Sequence, residues 1–335
     1  MPINPKAKLV EHLLDVKAIE QKPTRDGYGT GLLAAGDENP SVVALCADLM
    51  ESTRTEAFAQ KYPDRFVEMG VAEQNMASVA AGMALMGKIP FISSYAMFSP
   101  GRNWEQIRTT IAYNEANVKI CGAHAGVSVG PDGATHQAIE DIALMRPIAN
   151  MTVFSPCDSV EAHKATYAAA KITGPVYVRY AREKTPVFTT AQTPFEPGKA
   201  MAFWVEPVRT KPDVAIISCG PLTHNAILAA AELEREGMKV RVINNPSIKP
   251  LDKETILKAA KDAKAIVTVE EHQVAGGMGS AIAEFLAQSY PVPVEFIGVQ
   301  NRFGQSGTPT ELIEHYGMGA AHIIEAVTRV IARKS

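Results

Sequence analysis

At 335 residues the chain is longer than one ordinary domain, and its 46% apolar, 21% charged composition supplies core material for two. Thirty-three Lys and Arg against 36 Asp and Glu leave a net charge of -3, without the general positive field that nucleic acid or an anionic membrane surface calls for. No run of about 18 apolar residues occurs, which excludes a membrane-spanning helix. The four cysteines (Cys46, Cys121, Cys157, Cys219) lie far apart without a CxxC or Cys/His cluster, the usage of a reduced, cytoplasmic compartment.

Residues 1–22 read as an N-terminal arm. From 23 to 185, short apolar runs alternate with helical ones, the pattern of a parallel-sheet α/β domain. Strands are expected over 41–46, 65–69, 90–95, 118–121, 151–154 and 175–180, and helices near 73–86, 100–115, 136–145 and 158–171. The helix after Glu73 is the clearest, because Met76, Val79, Ala80, Met83 and Met86 recur at helical spacing. Over 186–212 the regularity fails. Pro186, Pro194, Pro197, Pro207 and Pro212 mark a connector, with one edge strand over 200–205. A second α/β alternation fills 213–335, with strands over 214–218, 239–244, 265–269 and 294–299 and helices over 222–236, 252–262, 278–288 and 319–333.

Two glycine motifs read as structural. Gly29-Thr30-Gly31-Leu32-Leu33-Ala34 has the letters of a dinucleotide fingerprint, but the polar, proline-bearing stretch before it supplies no strand. Its glycines read as allowing close packing at the start of a helix. Gly276-Gly277-Met278-Gly279-Ser280 does follow a strand and precede a helix, yet lacks the Lys-Ser/Thr of a phosphate-binding loop and reads as a turn. The eight histidines are dispersed, so no metal site is expected.

Polar groups concentrate at the ends of four expected strands, where open α/β sheets place ligands: 47–52, 70–75, 94–98 and 122–136. Three motifs there, Ala47-Asp48-Leu49, Gly70-Val71-Ala72-Glu73-Gln74-Asn75-Met76 and Gly130-Pro131-Asp132-Gly133-Ala134-Thr135-His136-Gln137, occur in an order and spacing that resemble the C-terminal part of transketolase. That is a thiamine-diphosphate enzyme, and the resemblance covers its pyrimidine-binding domain (23–185 here), the linker (186–212) and its C-terminal domain (213–335). It implies two α/β domains, the first with a parallel and the second with a mostly parallel sheet.

The resemblance also implies roles. Glu73 would hydrogen-bond the aminopyrimidine ring nitrogen of thiamine diphosphate and provide the proton route that activates the cofactor. Tyr95 and Phe98 would wall the pyrimidine, with Gly101 standing where a third aromatic often occurs; either aromatic alone also reads as core packing. Asp48 and Leu49 match an acid and an apolar contact near the cofactor, although Asp48 equally suits a helix cap. His124, Asp132 and His136 match groups at the acceptor phosphate, a substrate hydroxyl and the donor's reacting end, making His136 the second catalytic candidate beside Glu73. Arg25 and Arg182 are the candidate phosphate cations, with Ser52 adding a hydroxyl. Ala125 and Pro131 replace acidic residues of the family.

The Gly-Asp-Gly motif that holds the metal and diphosphate in such enzymes is absent, since Asp26-Gly27 and Asp132-Gly133 both lack a preceding glycine. The expectation is a split enzyme. A separate N-terminal subunit would bring the diphosphate-binding domain and its Mg2+ or Ca2+, active sites would lie between subunits of an α2β2 assembly, and sugar phosphates would be the substrates. The second domain, with Glu270-Glu271-His272, would chiefly make dimer contacts. A beta subunit of a 2-oxoacid dehydrogenase and a non-catalytic homologue are the alternatives.

Overall fold

Strands of the first half read as unbroken apolar runs because both of their faces are covered, as a parallel sheet flanked by helices requires. The computed structural model describes residues 2–334. In chain order its first half holds β1 (Gln21–Lys22), α1 (Thr24–Glu38), β2 (Val42–Cys46), α2 (Glu56–Lys61), β3 (Phe66–Glu68), α3 (Glu73–Leu85), β4 (Ile89–Tyr95), α4 (Trp104–Gln106), β5 (Lys119–Ala123), α5 (Asp141–Met145), β6 (Thr152–Phe154), α6 (Ser159–Lys171), β7 (Val176–Arg179) and β8 (Thr185–Pro186). Its second half holds β9 (Met201–Trp204), β10 (Val214–Ser218), α7 (Thr223–Arg235), β11 (Val240–Asn244), β12 (Ser247–Lys249), α8 (Lys253–Ala263), β13 (Ile266–Gln273), α9 (Met278–Ser289), β14 (Val294–Val299), α10 (Pro309–His315) and α11 (Ala320–Ala332).

Two sheets result. The larger has the order β12-β6-β7-β5-β4-β2-β3, parallel throughout except for β12, and the smaller runs β14-β13-β10-β11-β9 with only β9 antiparallel. Every residue of β2, β5 and β10 is buried. The larger sheet changes direction at β2: the chain steps outward to β3, then returns across β2 to β4. A crevice at the carboxyl ends of these strands follows from that reversal.

The fingerprint-like glycines serve packing, within a helix rather than at its start. Gly31 presses α1 onto α6 so closely that a Cβ there would lie 2.7 Å from the His163 carbonyl oxygen, and one at Gly29 would lie 2.8 Å from that of Arg54. Two expected helices are shorter than their patterns suggest. Over 100–115 a tight turn gives way to the single turn of α4 and then to a π-helix at Ile107–Ala112. Over 136–145 only α5 is helical, because residues 138 and 139 pair elsewhere: Gly126 N donates to Ala138 O (2.7 Å) and Gln273 N to Ile139 O (2.8 Å).

The division drawn from sequence is also crossed by the chain. β12, inside the expected second domain, is the antiparallel edge of the first sheet, guided there by the Ser155 N to Pro246 O bond of 2.8 Å. The N-terminal arm lies on the second domain, where Ile3 bridges to Trp204 and Ala7, Leu13 and Ile19 enter the second core. Glu161 of α6 joins the domains as well. Its carboxyl accepts from Cys157 N and from Asn244 Nδ2 of β11, each at 2.7 Å.

Burial pushes the Glu161 carboxyl up from its ordinary 4.5 to about 7, against the opposing Cys157 amide. A raised carboxyl stabilises the fold fully below about 4.5 and loses that contribution as pH rises through about 7. Relative to Glu161→Gln, the natural protein should therefore lose stability between pH 5 and pH 8, on the order of a few kcal/mol. Thermal unfolding of both proteins at the two pH values reads this out, and a constant difference would contradict it.

Candidate functional site

The loops that follow β2, β3, β4, β5 and β7 meet at one edge of the larger sheet. Glu73, the first residue of α3, is brought there by the short crossover from β3 and is 1% exposed. Its Oε1 accepts from Ser94 Oγ of β4 at 3.3 Å, its Oε2 from Arg102 Nη1 at 3.1 Å, and its backbone oxygen from Asn103 Nδ2 at 3.1 Å. A buried carboxylate needs such partners, since an unpaired charge is too costly to desolvate.

Aromatic rings stand beside this carboxyl. Tyr95, the last residue of β4, and Phe98 lie nearly parallel with centroids 6.0 Å apart, and the His136 ring meets Phe98 edge-on at 5.6 Å. One face of Tyr95 is stacked on His124 at 3.8 Å, which leaves Phe98 as the more available flat wall. Gly101 carries no third ring for a steric reason: a Cβ there would sit 1.9 Å from the Met97 carbonyl oxygen.

A second group of residues lies beyond Tyr95. His124 follows β5 with φ of +56°, and its Nε2 is 3.3 Å from Nη1 of Arg25, at the start of α1. Guanidinium nitrogens only donate, so Nε2 accepts and the imidazole proton sits on Nδ1. Burial, followed by the charges of Arg25, Arg182 and Arg54, holds the His124 pKa far below the usual imidazole range, and the ring is neutral. The same Arg25 nitrogen donates to Ser52 O at 2.8 Å. Among the described residues, Arg25 Nε and His124 Nδ1 are buried donors without an acceptor. Orphaned donors on two contacting side chains suit a ligand rich in oxygen acceptors.

The remaining expected residues are less tightly gathered. Arg182 donates to Val129 O at 2.7 Å and pairs with Glu183 (3.2 Å) and Asp132 (3.7 Å), so it braces the 127–132 loop rather than standing as a free cation. Asp132 at the end of that loop is exposed, and His136, four residues further on, is half-buried. Leu49 is half-buried, while Asp48 is exposed, in the left-handed region with φ of +58°. Glu68 fixes their loop by accepting from Asp48 N (2.7 Å) and Gly70 N (2.9 Å).

Second-domain residues also brace this region: Glu270, Glu271 and His272 are all buried within the chain, so these three side chains face inward. Glu271 Oε1 accepts from Ser128 N at 2.6 Å, under the loop that carries Asp132, and Arg179, ion-paired to Asp141 at 2.8 Å, donates to Glu271 O at the same distance. Gln137 Nε2 ties Val127 O to Gln305 O, both at 2.9 Å. Glu270 accepts from Met278 N and Gly279 N (2.7 and 2.8 Å), so an internal carboxylate already fills the glycine turn's anion position. His272 Nδ1 donates to Gln273 O at 2.7 Å. Arg102, Asn103 and Glu271 were not among the residues expected from sequence. Only the small residue at 101 hinted that another group would approach Glu73.

The donor set suits the pyrimidine end of thiamine diphosphate: a buried carboxyl for a ring nitrogen, beside the flat face of Phe98. Among the described residues no group of three His, Cys, Asp or Glu is placed to hold a metal ion, and no helix is long and apolar enough to cross a membrane.

Comparisons with known proteins show the family. Residues 20–187 match the transketolase pyrimidine binding domain and 204–323 the transketolase C-terminal domain. A protein named as a transketolase C-terminal section from Methanocaldococcus jannaschii is 41% identical over 91% of this chain and 95% of its own. The 6-deoxy-6-sulfo-D-fructose transketolase subunit of a Clostridium species is 38% identical, covering 95% of this chain and 97% of its own. Human transketolase is 36% identical over 92% of this chain but only 49% of its own length. A solved structure described as a split gene transketolase, inactive beta4 tetramer, superposes with a TM-score of 0.86 at 44% identity, covering 93% of this chain and 99% of that one.

Placing even a methyl group at position 101 should disturb the turn that carries Phe98 and Arg102. Gly101→Ala is expected to cost about 1–3 kcal/mol, read as a lowered midpoint in urea unfolding. An unchanged midpoint would show that the turn yields without strain.

Proposed function

The chain belongs to the transketolase family, and from that premise we propose that it is the pyrimidine-binding subunit of a split transketolase, transferring a two-carbon ketol unit between sugar phosphates together with a separate polypeptide. The observation that carries this reading is the buried Glu73 carboxyl, linked through Arg102 to the Phe98 ring, with neighbouring Tyr95 stacked on the His124 that meets Arg25. The split is supported by the M. jannaschii section and the Clostridium subunit, each matched over nearly its whole length, while human transketolase is matched over half. The neighbour described as an inactive tetramer of beta chains fits a need for a second kind of subunit, and we assign the pair to an α2β2 assembly.

Thiamine diphosphate, when bound, supplies the carbon nucleophile of ketol transfer. Mg2+ or Ca2+ at its diphosphate falls to the partner subunit. In this chain, Glu73 would hold and move a proton at the pyrimidine nitrogen, while Phe98 and Tyr95 fix the ring's plane and Asp48 and Leu49 border it. Arg25 and His124 would meet phosphate or hydroxyl oxygens with their free donors, with Ser52 alongside. Asp132 and His136 would face the sugar's hydroxyls and reacting carbon, on a loop held by Arg182. Held neutral by burial and the neighbouring arginines, His124 would donate from Nδ1 and orient substrate.

Ketol transfer from xylulose 5-phosphate to ribose 5-phosphate tests the reading, with thiamine diphosphate and Mg2+, using this chain alone and mixed with a polypeptide carrying the Gly-Asp-Gly domain. Turnover is expected only in the mixture. There Glu73→Gln should lower kcat roughly 10²–10⁴-fold, the range of a lost general acid or base. Full turnover by the chain alone would overturn the split, and undiminished activity of the variant would overturn the proton role of Glu73 and favour a non-catalytic part for this chain.

A further inference from the structure

Arg102 makes two contacts that a flat, nitrogen-bearing ring would also make. Its Nη1 donates to Glu73 Oε2 at 3.1 Å, and its guanidinium carbon lies 5.2 Å from the centre of the Phe98 ring. A guanidinium is planar, rich in N–H donors and stacks on aromatic faces, so it resembles an aminopyrimidine in shape and hydrogen-bonding character. The two ends of the ion pair differ sharply in freedom: the Arg102 side chain is 50% exposed and the Glu73 side chain 1%. The carboxyl is anchored on its other side by Ser94 and through its backbone by Asn103. If either partner moves, it is Arg102.

We propose that Arg102 is an internal competitor of the cofactor's pyrimidine ring, holding Glu73 Oε2 and the Phe98 face and leaving both when the ring docks. This rests on the reading of Glu73 and Phe98 given above. Arg102 is thus a positioning residue. It keeps a buried carboxyl partnered and in place, and its release sets the cofactor's affinity. The free Cβ space that a third aromatic would need is closed at Gly101, so the next residue reaches the carboxyl instead.

Calorimetric titration of the two-subunit complex with thiamine diphosphate and Mg2+ provides the test. Arg102→Met keeps an aliphatic stem but removes the guanidinium, with its donors and its place over Phe98. It should bind the cofactor about tenfold more tightly, the scale of one hydrogen bond to a charged group, and Arg102→Lys should stay near the natural affinity. A merely structural residue would give weaker binding when removed, not tighter. Unchanged or weaker binding by Arg102→Met, with the natural complex binding normally, overturns the competition and leaves the role of Glu73 standing. Failure of the natural complex to bind the cofactor at all overturns the functional reading and this inference with it. Melting temperatures of the variant complexes check that their subunits remain folded.

Discussion

A carboxyl group 1% exposed to water must be compensated where it stands, and around Glu73 that requirement organises much of the first domain's active edge. Ser94 arrives at the end of β4, Asn103 and Arg102 on the turn beyond it, and Glu73 itself on the first turn of α3. Three separate segments of the chain supply them. Parallel strands bring them together because every carboxyl end in such a sheet points the same way, and because the order reverses at β2 to open a crevice between neighbouring loops.

The same demand for partners joins the two domains. Glu271 supports Ser128, Arg179 pairs with Asp141 while reaching the Glu271 carbonyl, and Gln137 links the 127–132 loop to Gln305. The loop bearing Asp132 and His136 is thereby shaped by residues about 135–175 positions further along the chain, by rough count. Such a network is stiff because each buried polar group depends on the others for satisfaction. The second domain is therefore part of the site's construction as well as a companion to it.

Arg25 and His124 illustrate a different kind of pairing. Their contact settles the tautomer of the imidazole and leaves a buried donor without an acceptor on each side chain. Arg182, an equally plausible cation by sequence position, is instead occupied by Val129, Glu183 and Asp132. Two arginines with similar chemistry thus acquire different tasks from their neighbours alone.

Much of the fold was legible beforehand. Strand positions followed from continuous apolar runs, α3 and the second-domain helices from their periodicity, and the polar strand ends from the α/β alternation. Glu73 was legible too, because a motif spanning several residues constrained it. Less visible were α1, whose glycines weaken the helical signal but are needed against α6, and β12, three residues long and paired to the other domain's sheet. The sequence by itself determined the α/β class, the family and which residue types stand at the strand ends, since these depend on local pattern and on motif spacing. Only the tertiary structure decided that Arg102 meets Glu73, that Arg182 is paired while Arg25 keeps a free donor, and that Glu271 lies beneath the substrate loop. Those outcomes depend on which buried groups find partners across distant segments, and chain order does not encode that directly.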